Sequence, residues 1–182
     1  MRKLIILAFF VLMAVPSFAQ NHQDYTLPDA PKRSRYIDYP SQYKGLWFAV
    51  QATPAYASLE GITGQVDFIL GYRTGEWFRV GAGVSPKFST EAGFGLPVYL
   101  DLRGNIISQE SRMAVPYWSF DAGYTISSTN SGLYLSPTLG VRVGMPRNNF
   151  IAGLTYIMQQ LPSPVSSSRL SHGVGLRIGY EF

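Results

Sequence analysis

Residues 172–182, HGVGLRIGYEF, give the clearest indication of the fold. Every second position in this stretch is apolar, and the run finishes in aromatics: Val174, Leu176, Ile178, Tyr180 and Phe182. The positions between them hold small or charged residues: Gly173, Gly175, Arg177, Gly179 and Glu181. Because successive side chains of a β-strand point to opposite faces, such a strand has one apolar face and one small or charged face. The stretch therefore predicts a strand at the boundary between an apolar and a polar environment.

The chain opens with the three parts of a secretory signal peptide. The first three residues include the basic Arg2 and Lys3, residues 4–15 are apolar, and the segment from Pro16 to Ala19 is a proline breaker that ends in the small residue Ala19. An uncleaved anchor helix is the alternative, but the apolar run is too short to span a bilayer of about 30 Å. We therefore expect residues 1–19 to be a signal peptide that is cleaved after Ala19.

The composition narrows the class of protein further. Charged residues make up 14% of the chain and aromatic residues another 14%, whereas soluble domains contain about 25% charged residues. The chain has no Cys and two His, which argues against disulfides and against a metal site. Its basic residues do not cluster as a nucleic-acid partner would require, and no motif for a cofactor is present. An exported chain with few charges and many aromatics indicates membrane β-structure.

Two regions follow the signal peptide. Residues 20–43 contain three prolines and are predicted to form an extended periplasmic segment, because proline interrupts helices. Its small basic patch is either part of a solvated tail or a docking site for lipid headgroups or a periplasmic partner. Residues 44–182 repeat the alternation of the last strand in eight segments, at roughly 45–53, 64–73, 77–85, 94–103, 116–126, 132–145, 149–159 and 172–182. This region predicts an all-β fold, an eight-stranded antiparallel up-and-down transmembrane β-barrel.

Periodicity alone allows either face of the barrel to be outside. A soluble barrel of lipocalin type would turn its apolar face inward, whereas a membrane barrel turns it outward. The predicted polar face has five arginines and no lysine, and guanidinium groups pair carboxylates well where water is scarce. We therefore place this face in a narrow lumen and expect each carboxylate to reach an arginine. The predicted lumen charges are Asp67, Arg73, Arg79, Asp101, Arg103, Asp121, Arg142, Arg177 and Glu181.

The signal peptide, the eight amphipathic strands and the final Phe182 together resemble small outer-membrane barrels of the OmpA/OmpX type. The resemblance implies an integral protein of the cell outer membrane with both termini periplasmic. It also implies contact with outer-membrane lipid and lipopolysaccharide, and assembly by the barrel-assembly machinery, with Tyr180 and Phe182 as the assembly signal. Short turns at 73–76 and 146–148 should then face the periplasm, with longer loops at 54–63, 86–93, 127–131 and 160–171 outside. The link from Ile106 to Ala114 is longer than these turns.

Aromatic residues at strand ends provide a further expectation from this topology. Membrane proteins concentrate aromatic side chains at the interfaces. A girdle at the periplasmic rim is predicted from Trp47, Tyr72, Trp77, Phe78, Tyr117, Trp118 and Phe150.

Three functions remain open from the sequence. The first is a non-enzymatic barrel that serves envelope structure and binds an unidentified surface ligand through its loops, with the lumen plugged by Arg–carboxylate pairs. The second is a lipid A-modifying or lipid-binding enzyme, for which His172, near several loop serines, is the one candidate catalytic base. The third is a narrow pore or transporter.

Overall fold

The computed structural model describes residues 44–109, 112–127, 131–145, 147–161 and 169–182. The predicted signal peptide and the segment 20–43 lie outside these ranges. The described residues form these strands: β1 (Gly45–Ala57), β2 (Gly61–Arg73), β3 (Arg79–Val84), β4 (Lys87–Ser89), β5 (Gly93–Asn105), β6 (Ala114–Ile126), β7 (Gly132–Met145), β8 (Asn148–Leu161) and β9 (Arg169–Glu181). None of the described segments is a helix of the length and apolarity needed to cross a membrane.

The strands pair antiparallel with their neighbours in the chain, and β9 pairs with β1 to close the sheet. β3 and β4 both lie between β2 and β5. The pairing register along β2 is the same for β3 and β4, and so is the register along β5. They are therefore two segments of one barrel strand, and the barrel has eight strand positions. This closed sheet confirms the predicted fold. Closure leaves no unpaired sheet edge, as a bilayer core requires.

The third barrel strand is longer than the sequence predicts, because it continues past Pro86. Proline has no N–H to donate to a ladder, so Pro86 reads as the start of a loop, directly after the predicted strand 77–85. In the structure the carbonyl of Pro86 still accepts from Val66 N at 3.1 Å, and Ser85 N donates to the carbonyl of Pro97 at 2.9 Å. These two bonds hold the strand between its neighbours, so the predicted loop at 86–93 is wrong.

The connections do not alternate between short and long as predicted. We call the rim where β1 begins and β9 ends the terminal rim, and the other the distal rim. The distal connections at 58–60 and 90–92 are only three residues long, so the predicted long loop at 54–63 is also wrong. Distal residues 127–131 and 162–168 form longer connections, whereas the terminal rim carries the eight-residue connection 106–113. Loop length therefore does not distinguish the two rims.

The apolar face points outward and the polar face inward, as predicted. Leu46 and Leu100 on the outer wall are 79% and 62% exposed, whereas Asp101 and Arg177 are fully buried inside the barrel. Phe78 and Phe88 bracket the wall along the third barrel strand, ten residues apart. At about 3.4 Å per residue and a tilt of about 40°, this separation spans about 26 Å, the height of the apolar band of a membrane barrel. The molecule is thus built to be surrounded by lipid.

The predicted girdle is wrong at two positions. Trp47 and Tyr117 are 2% and 1% exposed and lie in the lumen, because each occupies the inward parity of its strand. Outward-facing aromatics do line the terminal rim, namely Tyr72, Trp77, Phe78, Trp118 and Phe150. A second outward group at the distal end, which the sequence analysis missed, consists of Tyr56, Phe88, Phe94, Tyr124 and Tyr156.

Candidate functional site

The lumen near the terminal rim is organised around Glu181, the last residue of β9. Its Oε1 contacts Arg73 Nη2 at 3.1 Å and Arg79 Nη1 at short range. Its Oε2 lies 3.4 Å from Arg103 Nη1 and 3.1 Å from Arg142 Nη2. One carboxylate therefore bonds four guanidinium groups, which come from β2, β3, β5 and β7. We call these five residues the Glu181 cluster.

Other lumen side chains hold the guanidinium groups of this cluster in place. Asp101 accepts two hydrogen bonds from Arg103, one of them from Nε at 3.0 Å. The guanidinium carbon of Arg103 also lies 4.5 Å from the ring centroid of Trp47, and that of Arg142 lies 5.3 Å from the ring of Tyr117. A cation over an aromatic face is attracted by the ring quadrupole, more strongly when both are desolvated. The inward-facing rings of Trp47 and Tyr117 thus help to hold the arginines of the charge network in place.

Among the described residues, the middle of the lumen contains one ion pair and one carboxylate that bonds no arginine. Arg177 Nη1 lies 2.8 Å from Asp121 Oδ2. Asp67 instead accepts from the hydroxyls of Thr53 and Tyr99 at 3.3 and 3.0 Å and from the amide of Gln65 at 3.0 Å. The expectation that every lumen carboxylate reaches an arginine is therefore wrong at Asp67. Three neutral donors satisfy its oxygens, as a buried charge requires.

The distal end of the lumen contains an ion pair that the sequence analysis did not anticipate. Lys87 Nζ donates to Glu60 Oε1 at 2.6 Å and to Gln159 Oε1 at shorter range. Both charged residues are buried, at 2% and 1% exposure. The lumen thus does contain a lysine, and the prediction of an arginine-only polar face is wrong. The signal was present in the sequence, because Lys87 continues the inward parity of Arg79 across Pro86.

Glycines on the inward face make room for the large side chains of the lumen. A Cβ at Gly71 would lie 2.6 Å from the ring of Trp47, and one at Gly83 the same distance from the ring of Tyr99. At Gly140 it would lie 2.8 Å from the ring of Tyr117. Contacts this short are not tolerated without movement, so larger residues there would displace the aromatics.

Ser108 and Gln109, shortly after the end of β5, lie at the terminal mouth of the lumen. Gln109 is 1% exposed and donates through Nε2 to the carbonyl of Gly144 at 3.0 Å and to Asn149 Oδ1 at 2.7 Å. The backbone N of Gln109 and the hydroxyl of Ser108 each donate to Glu76 Oε1 at 2.6 Å. With the Glu60–Lys87 pair at the distal end, buried described side chains lie at both ends of the lumen.

His172 lies outside the lumen, on the outer face of β9 near the distal rim. Its Nδ1 is 2.7 Å from the hydroxyl of Tyr156, and its backbone N donates to Ser58 Oγ at 3.2 Å. Ser171 points the other way, into the lumen, and is buried. Within the described part of the chain no carboxylate bonds His172, and no group of three or more His, Asp or Glu residues is placed to hold a metal. Ser166 to Ser168, the loop serines of the hydrolase hypothesis, lie outside the described residues.

An apolar outer wall around a closed, charged lumen is the fold of the small eight-stranded outer-membrane barrels. The structure is similar to that of Neisserial surface protein A, with a TM-score of 0.55 and 16% identity, covering 75% of this chain and 95% of that one. It also matches two Pseudomonas aeruginosa barrels. The N-terminal domain of OprF gives a TM-score of 0.48 at 14% identity, covering 76% of this chain and 99% of that one. The outer membrane protein OprG gives 0.46 at 12% identity, covering 76% and 96%.

At these identities the likeness is one of fold. No protein-family model matches the sequence, and no curated protein matches it at a significant level. Function therefore has to be argued from the lumen and the wall themselves.

Proposed function

We propose that this protein is a non-enzymatic, non-conducting barrel of the outer membrane, a structural component of the envelope with both termini in the periplasm. The observation that carries the proposal is the Glu181 cluster. It ties five of the eight barrel positions together through one carboxylate and places four buried arginines in the lumen, where a pore would need water. A lumen held shut in this way supports a scaffold rather than a transport path.

The outer surface supports the same role. Two aromatic groups and the apolar wall between them suit contact with outer-membrane lipid and lipopolysaccharide. At the end of β9, Phe182 exchanges backbone hydrogen bonds with Phe48 at 2.8 and 3.4 Å, and their rings stack at 6.2 Å. Tyr180 packs against Phe182 at 4.8 Å. This aromatic edge, exposed on the wall where the barrel closes, is our proposed signal to the barrel-assembly machinery.

A surface partner would be bound by the distal connections 127–131 and 162–168. The connections at 58–60 and 90–92 are too short to extend far from the rim. The proposed interaction surface is therefore restricted to one part of the distal rim.

Localisation and orientation can be tested together by cell fractionation and protease accessibility. We expect the mature protein to begin at Gln20 and to sediment with the outer membrane. A protease site inserted between Ser127 and Ser131 should be cut from outside intact cells. The matched insertion at Gly75 on the terminal rim should be cut only after the outer membrane is permeabilised.

A soluble periplasmic pool would contradict the proposed location. Cleavage at Gly75 in intact cells would contradict the orientation. As a control for the enzymatic alternative, lipid A should have the same mass spectrum in cells that express the wild type, the His172→Ala variant or neither. A new lipid A species that depends on His172 would establish a lipid-modifying enzyme instead.

A further inference from the structure

The Glu181 cluster has more positive charge than its own carboxylates can neutralise. Arg79, Arg103 and Arg142 alone bring three guanidinium groups to the two carboxylates of Glu181 and Asp101, which leaves one excess positive charge among these described groups. Arg73 also bonds Glu181 at 3.1 Å and the backbone oxygen of Phe182 at 2.8 Å, and it is left out of this count. The four arginines are 0–1% exposed. A buried charge without a counter-charge is costly in free energy. A further anion beside these arginines would therefore stabilise the cluster.

The hydrogen-bond donors of this region point to the same conclusion independently of charge. Arg79 is fully buried, and its Nε and Nη2 have no hydrogen-bond partner among the described residues. Nε of Arg142 and the side-chain nitrogens of Trp47 and Asn105 are also without one. Buried donors are nearly always satisfied in folded proteins. This end of the lumen has a surplus of donors and needs acceptor atoms.

The geometry of Arg79 indicates the kind of anion. Nε and Nη2 lie on the same edge of the guanidinium group, whereas Nη1 is the atom that contacts Glu181. A free edge of this kind donates two parallel N–H bonds, which match two oxygens of a carboxylate, phosphate or sulfate. A halide ion offers a single centre and does not match the edge in this way. The wall separates the cluster from lipid, which favours a free ion over a lipid headgroup.

We propose that the Glu181 cluster binds one small inorganic oxyanion of the phosphate or sulfate type, held by the Nε–Nη2 edge of Arg79 and by Nε of Arg142. The anion completes the charge balance at the terminal end of the lumen and links β3 to β7. It is a bound structural ligand that is taken up as the barrel folds, since the surrounding side chains leave the cluster buried.

The test is to refold the full mature chain in a phosphate-free alkyl maltoside detergent, with chloride or inorganic phosphate at equal ionic strength. The wild type should unfold at a higher temperature in phosphate, with a saturable dependence on its concentration. Arg79→Lys keeps the charge but loses the two-donor edge, so its half-saturating phosphate concentration should rise about tenfold or more. Arg169→Lys, at an exposed distal arginine, is the matched control and should respond as the wild type does.

A second measurement covers the case in which Arg79→Lys does not fold. Wild-type barrel refolded in phosphate and exchanged into phosphate-free detergent should retain about one phosphate per chain by ³¹P NMR. No retained phosphate, or equal unfolding temperatures of the wild type in chloride and phosphate, would mean that water alone satisfies these donors and would overturn the proposal. So would an unchanged response in folded Arg79→Lys. Stabilisation by short-chain phosphatidylglycerol but not by free phosphate would also overturn it, because the source would be a lipid headgroup.

Discussion

Replacing Glu181 by Gln is expected to destabilise the folded barrel by about 3–5 kcal/mol, since loss of one member of a buried ion pair leaves its partner uncompensated. Here a single carboxylate serves four arginines, so the loss should lie at the upper end of that range or above it. The substitution preserves side-chain size, so no cavity contributes. The change is measured as the free energy of unfolding in urea, with the barrel folded into lipid vesicles in chloride buffer.

Glu91→Gln is the matched control for this experiment. Glu91 is an exposed carboxylate at the distal rim, and the same substitution there should stay within about 0.5 kcal/mol of the wild type. A loss of less than about 1 kcal/mol for Glu181→Gln would mean that water already solvates the cluster. The description of the lumen as sealed would then be wrong.

Replacing Leu100 by Arg should cost about 2–4 kcal/mol in lipid, because it places a charge on the lipid face near the midplane of the bilayer. Leu100 is 62% exposed and lies in the middle of β5, between the two aromatic groups. The side chain has room on the outer wall, so the expected penalty comes from the bilayer and not from packing.

Met113→Arg provides the comparison at the rim. Met113 is 68% exposed and immediately precedes β6, at the level of the interface. Its substitution should cost about 0–1 kcal/mol. Equal and small penalties at Leu100 and Met113 would contradict the assignment of the outer wall to lipid.

The face that each strand turns inward could be predicted from the sequence because that property is local. A period of two places Leu100 outside and Asp101 inside regardless of the neighbouring strands. The same rule would have placed Trp47 and Tyr117 in the lumen. Height along the barrel predicts only that an aromatic lies near a rim, and parity decides whether it faces lipid or the lumen.

The pairing of lumen charges could not be predicted in the same way, because it depends on register and on distances across the barrel. Glu181 and Arg142 are not on adjacent strands, and their contact follows from the narrow diameter of an eight-stranded barrel. Asp67 obtains neutral donors because Tyr99 reaches it across a gap that Gly83 leaves open. Lys87 escapes prediction for a local reason, since Pro86 reads as the start of a loop, whereas the barrel strand continues to Ser89.

Conductance across a planar lipid bilayer tests the central claim most directly, which is that the lumen is closed by its own charged side chains. Purified wild-type barrel should insert and show no stable openings, because the Glu181 cluster, the Arg177–Asp121 pair and the Lys87–Glu60 pair place buried charged side chains in the lumen at three levels. Stable, ion-selective openings of the wild-type barrel would contradict this account and would identify the protein as a pore.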